Sequence, residues 1–93
     1  IYLNLSFNNI SKFELKYSNI ECKTQENHRK MRINLSSNQI ETISDVILTI
    51  PEILLVKFEV NLRFNLIKSI SNEDKREKVV FDLRNNPMNI KLY

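Results

Sequence analysis

Ninety-three residues with 42% apolar side chains suffice for one small core, and 27% charged residues demand a wet surface. No apolar run nears the ~20 residues that a bilayer crossing needs; the richest tract, 46–56, is interrupted by Thr49, Pro51 and Glu52. The net charge of +3 is spread over both halves, so neither carries the dense basic stripe of a dedicated nucleic-acid binder.

The chain opens at Ile1 with no basic-then-apolar leader, and reads as a segment of a longer protein. Its first unit is Leu3-Asn-Leu-Ser-Phe-Asn8-Asn-Ile10, with Phe13 following. Alternation of apolar and polar residues predicts a short strand, and Asn8 marks the bend that ends it. A polar run, 23–30, forms a loop before the second unit, Ile33-Asn-Leu-Ser-Ser-Asn38-Gln-Ile40, with Ile43 at the matching offset. Ser44-Asp45 ahead of Val46, Ile47 and Ile50 predicts a short helix stopped by Pro51. The third unit is Val60-Asn-Leu-Arg-Phe-Asn65-Leu-Ile67, with Ile70 after it. Ser71 to Asp74 predicts a capped turn, and the charges at 75–78 a solvated face. The fourth unit, Phe81-Asp-Leu-Arg-Asn-Asn86-Pro-Met88, has Lys91 at that last offset, between Ile90 and Leu92.

All four units read apolar-x-Leu-x-x-Asn-x-apolar, and their asparagines are 30, 27 and 21 residues apart. Four such matches in one short chain are a strong repeat signal. The inward set of each strand stacks on its neighbours and the outward set lines a parallel sheet. An amide at each bend carries donors and an acceptor for backbone groups that the strand no longer pairs. This predicts a column Asn8, Asn38, Asn65, Asn86 along the inside of the bends.

The pattern resembles the leucine-rich repeat family, Leu-x-x-Leu-x-Leu-x-x-Asn-x-Leu. The resemblance implies an α/β solenoid, a horseshoe segment with a short parallel sheet on its concave face. Irregular turns or short helices would lie on the convex face. It implies one domain over 1–93, with repeat cores 1–13, 30–43, 57–70 and 78–92. One departure is consistent: the pattern's first leucine is Lys30, Lys57 and Lys78 in the last three repeats, which leaves each under-packed there. Asn86-Pro87-Met88 with Tyr93 downstream resembles the cap that closes many intracellular members. The isoleucine spacing after Asn38 and Asn65 is similar to the subclass typified by a regulatory subunit of protein phosphatase 1.

Little in the sequence supports chemistry. The absence of glycine removes phosphate-cradling loops. Cys22, the lone cysteine, cannot form an internal disulfide; it reads as an apolar filler and favours a reducing compartment. His28 has no second histidine or thiol cluster around it and reads as an exposed loop residue. We therefore expect no catalytic residue, no metal site and no cofactor.

What remains is the concave face. Its outward positions are Tyr2, Asn4, Ser6 and Phe7; then Arg32, Asn34, Ser36 and Ser37; then Glu59, Asn61, Arg63 and Phe64; then Val80, Asp82, Arg84 and Asn85. Aromatic residues beside arginines are typical interface anchors. The candidate partner-binding residues are Tyr2, Phe7, Arg32, Glu59, Arg63, Phe64, Asp82 and Arg84. Phe7 and Phe64 read equally well as anchors or as a ladder inside the shell. Glu59 and Asp82 read as ion-pair partners of Arg32, Arg63 or Arg84 more readily than as an acid/base pair. The resemblance implies a non-enzymatic scaffold that binds another protein, inside the cell and in the cytoplasm, with nucleus or cilium as alternatives. The competing readings are a ribonucleoprotein-associated repeat protein, or a regulatory segment of a larger enzyme such as a phosphatase complex.

Overall fold

The computed structural model describes residues 2–16, 29–49, 56–71, 74 and 76–88. They form six strands: β1 (Tyr2–Asn4), β2 (Phe13–Lys16), β3 (Arg29–Asn34), β4 (Val46–Thr49), β5 (Val56–Asn61) and β6 (Val79–Asp82). β1, β3, β5 and β6 make a parallel sheet in that order, and β2 and β4 make a second parallel pair. The helical content among the described residues is almost nil, chiefly the one-turn 3-10 helix Ile43–Asp45. No described helix is long and apolar enough to cross a membrane.

The main sheet follows from the repeated pattern. Leu3 pairs with Ile33, Ile33 with Val60, and Val60 with Phe81, so equivalent residues of each unit lie side by side. The ladder continues past the strand ends: Leu5 N–H donates to Asn34 O, Leu35 N–H to Asn61 O, and Leu62 N–H to Asp82 O, all at 2.8–2.9 Å. Alternation then sends one apolar set inward. Met31, Ile33 and Leu35 meet Phe58, Val60 and Leu62 in a core completed by Ile40, Ile43, Val46, Ile67 and Val79. In the two end units Leu3, Leu5, Phe81 and Leu83 are only partly buried, having a neighbouring unit on one side alone among the described residues, while Val79 is buried.

The expected under-packing at Lys30, Lys57 and Lys78 is not found. Three residues before Ile33 is an odd offset, so a strand turns Lys30 to the open face, where it is exposed, as is Lys57. The residue one later takes the inward place: Met31, Phe58 and Val79 are buried. The last three units thus each present an apolar trio at period two: Met31, Ile33 and Leu35; Phe58, Val60 and Leu62; Val79, Phe81 and Leu83.

The helix expected from Ser44 onward is corrected as well. Only Ile43–Asp45 turns, and Val46–Thr49 is a strand paired with Phe13–Lys16, Phe13 beside Val46 and Leu15 beside Leu48. Three of its four residues are β-branched and favour an extended backbone. The helix's other members, Ile50 and Pro51, lie outside the described residues. The apolar residues at the matching offset differ in burial: Ile70 is 47% exposed, whereas Ile43 is buried. The expected turn at Ser71 and Asp74 is present: Ser71 N–H donates to Asp74 Oδ2 at 2.8 Å, and Asp74 N–H to Ser71 O at 3.1 Å.

Candidate functional site

The open face of the main sheet is a grid set by strand register. Tyr2, Arg32, Glu59 and Val80 form one row across it. Asn4, Asn34, Asn61 and Asp82 form the next. The second row ends the strands. In each unit the Asn or Asp side-chain oxygen accepts the backbone N–H two residues on, at 3.1 Å for Asn4, 3.0 Å for Asn34 and Asn61, and 3.3 Å for Asp82. This is the Asx turn, a local bond that competes with further extension.

After that turn the chain enters the left-handed region. Phe7, Ser37, Phe64 and Asn85 occupy the same place in the four units, with φ of 60°, 57°, 58° and 61°. An L-residue with a Cβ pays roughly 1–2 kcal/mol for that conformation. Asparagine bears it best among the residues found here, bulky phenylalanine worst.

The next residue is the bend asparagine. Asn38 Oδ1 accepts the N–H groups of Asn8 and Ile10, both at 2.9 Å, and its Nδ2 donates to Leu5 O and Leu35 O, both at 3.0 Å. Asn65 binds Ile40 N–H, Leu35 O and Leu62 O in the same way, and Asn86 binds Ile67 N–H, Leu62 O and Leu83 O. The expected column therefore exists as a set of bonds, each amide joining its own unit to the one before. Asn38 and Asn65 are buried, Asn86 is half-buried, and Asn8, first in the column, is exposed.

Of the eight candidate partner-binding residues, Tyr2, Arg32, Glu59 and Asp82 line one shallow depression of about 330 Å³. Asn34, Asn61 and Val80 also line it. These three stood among the outward positions but not among the candidates; Val80, 67% exposed, was the signal that alternation alone offered. Arg63 and Arg84 adjoin the depression through Asp82, whose Oδ2 takes Arg63 Nε at 2.7 Å and Arg84 Nη2 at 2.8 Å. Phe7 and Phe64 are not part of the depression. They are 80% and 58% exposed, so neither forms a ladder inside the shell.

Glu59 is the counterpart of Asp82 one strand away. Its oxygens take Lys30 Nζ at 2.8 Å and Arg32 Nε at 3.2 Å. The Lys30 hydrogen bond, helped by the charges of Lys30 and Arg32 and the Arg32 hydrogen bond, outweighs the opposing effect of desolvation and holds the Glu59 carboxyl below its ordinary 4.5. A depressed carboxyl contributes stability above its unfolded value and loses it as pH falls through the folded one. Replacing Lys30 by Met should move the Glu59 titration up toward 4.5, and should lessen the fall in stability on acidification below that pH. A carboxyl-detected NMR titration checks the first, and urea unfolding at pH 3–6 the second.

No group of three metal-ligating side chains occurs among the described residues. Cys22, His28 and the cap residue Tyr93 lie outside them. Searches for a matching protein-family model, curated protein or solved structure found none.

Proposed function

We propose that the chain is a segment of a leucine-rich-repeat-like solenoid that binds another protein through the open face of its main sheet, the concave side in that reading. The uniform sheet order, the level register and the inter-unit asparagine bonds support the solenoid. The observation that carries the binding reading is the pair Phe7 and Phe64. Each holds an unfavourable left-handed backbone and leaves its ring in water. Neither strain nor exposure helps the isolated fold, and such a combination marks functional positions. Exposed aromatic side chains beside arginines supply the anchors on which protein interfaces depend.

The test separates stability from binding. Replacing both Phe7 and Phe64 by Asn, the residue already present at position 85, should raise stability by about 0.5–1 kcal/mol per site, because strain falls and little buried area is lost. The same double variant should lose proteins that the parent chain retains from extracts of its source cells. Equal retention by a well-folded variant would remove these rings from any interface and overturn the binding reading that they carry.

A further inference from the structure

The charge of the chain is unevenly placed. Among described side chains, the open face carries the cations Lys30, Arg32, Lys57, Arg63 and Arg84 against only two carboxylates, Glu59 and Asp82. The rest of the described surface carries no excess: Lys12, Lys16, Lys68 and Arg76 stand against Glu14, Glu41, Asp45, Asp74 and Glu77, while Lys78 lies beside Lys57 in the register of β5 and β6. The whole positive excess of the described side chains therefore sits on one face.

Its arrangement is ordered. Each carboxylate is gripped by two cations: Glu59 by Lys30 and Arg32, Asp82 by Arg63 and Arg84. Each cluster keeps a surplus charge, and Lys57 adds another with no carboxylate partner among the described residues. An ammonium has three donors and a guanidinium five, so most of their N–H groups remain available after these bonds. The carboxylates fix the long side chains in place, which lowers the entropy that an incoming anion must remove. Lys30 and Lys57 are direct neighbours across β3 and β5, an unfavourable juxtaposition in the free chain that an anion would relieve.

We infer that this face recognises an extended acidic peptide with two carboxylates at alternate positions. The inference rests on the docking reading above and names the chemistry of the partner. Glu59 and Asp82 are diagonal neighbours on adjacent strands, so the two clusters lie about 7–8 Å apart. Side chains two residues apart on an extended strand are separated by about 7 Å. One acidic side chain can thus meet each cluster, while exposed Tyr2 and Val80 offer apolar contact beside them. A continuous phosphate chain fits less well, because it needs a run of cations and would approach Glu59 and Asp82 directly.

The probe is a library of random ten-residue peptides displayed on phage, panned against the full 93-residue chain. Retained clones should carry Asp or Glu at positions two apart, at least fivefold above the input library. The enrichment should vanish for the chain with Arg32→Gln and Arg63→Gln, shown to be folded by its urea midpoint. A second measurement uses labelled twelve-nucleotide oligothymidylate, which should bind at least tenfold more weakly than the best acidic peptide. Clones without acidic excess, enrichment that survives the double substitution, or tighter binding of the oligonucleotide would each overturn the inference. Neutral clones lost on replacement of Phe7 and Phe64 would retire the acidic partner while leaving the docking face intact; capture from extracts untouched by that replacement would retire the face itself.

Discussion

Replacing Phe58 by Ala should lower the free energy of unfolding by about 3–5 kcal/mol, one of the two largest effects expected in this chain. Phe58 is fully buried and is the largest such side chain among the described residues. It lies on β5 between Met31 of β3 and Val79 of β6, so it touches the layer on each side. Truncation removes a ring's worth of apolar contact and leaves a cavity that a parallel sheet with fixed register cannot close. At roughly 0.05–0.15 kcal/mol per residue, a domain of this size holds about 5–14 kcal/mol in total, so the variant would be marginal or unfolded at room temperature. Phe58→Leu, which keeps most of the volume, should cost only about 1–1.5 kcal/mol. Val80→Ala, on the exposed side of the same layer, should stay within about 0.5 kcal/mol. Urea unfolding of the three variants checks the order. A loss below about 1 kcal/mol for Phe58→Ala would mean that Phe58 is not enclosed by both neighbours.

Phe58 also shows what the sequence did not disclose. The four matched units gave strand positions, the inward leucines and the bend asparagines, because those features repeat at fixed offsets and their chemistry is local. The place of Phe58 was obscured by counting back from Val60 by three, which lands on Lys57, where an extended strand demands a step of two. The second parallel pair was hidden for a different reason. Phe13-Glu-Leu-Lys16 does alternate, but four residues make a weak signal, and the strand they pair with is 33 residues away. Ser44-Asp45 then looked like a helix start, and only pairing with Phe13–Lys16 decides in favour of the β-branched preference of Val46–Thr49. On the open face, alternation identified every outward residue of the two central rows. It could not say which would meet, since ion pairs such as Arg63 with Asp82 depend on side-chain reach between strands. The positive φ of Phe7 and Phe64 was hidden too, because the usual marker, glycine, is absent from this chain.

The buried amides should rival Phe58 in effect. Asn65→Ala is expected to cost about 3 kcal/mol, because it leaves buried Ile40 N–H unpaired and removes one donor each from Leu35 O, Leu62 O and Arg63 O, which keep Asn38, Asn86 and Ser37. Those groups belong to two successive units, so the loss falls on the junction between them and on the main sheet at its centre. Asn38→Ala should behave alike, with bonds to Asn8, Ile10, Leu5 and Leu35 at stake. Asn8→Ala should cost no more than about 1 kcal/mol, since Asn8 is exposed and, among the described residues, its amide donates only to Ser6 O, at 3.1 Å. Asn65→Asp discriminates the mechanism from mere volume. It keeps the acceptor for Ile40 N–H but turns a two-donor group into an anion facing carbonyl oxygens. Burial and those oxygens raise the folded carboxyl pKa above its unfolded value of about 3.9. Its deficit is therefore least below pH 4, where both states are protonated, and grows as pH rises toward the folded value. Urea midpoints from pH 3 to 7 should show the aspartate variant falling away from the parent across that range while the alanine variant keeps a constant gap. A pH-independent gap for both would mean that the amide's donors are not what joins the units.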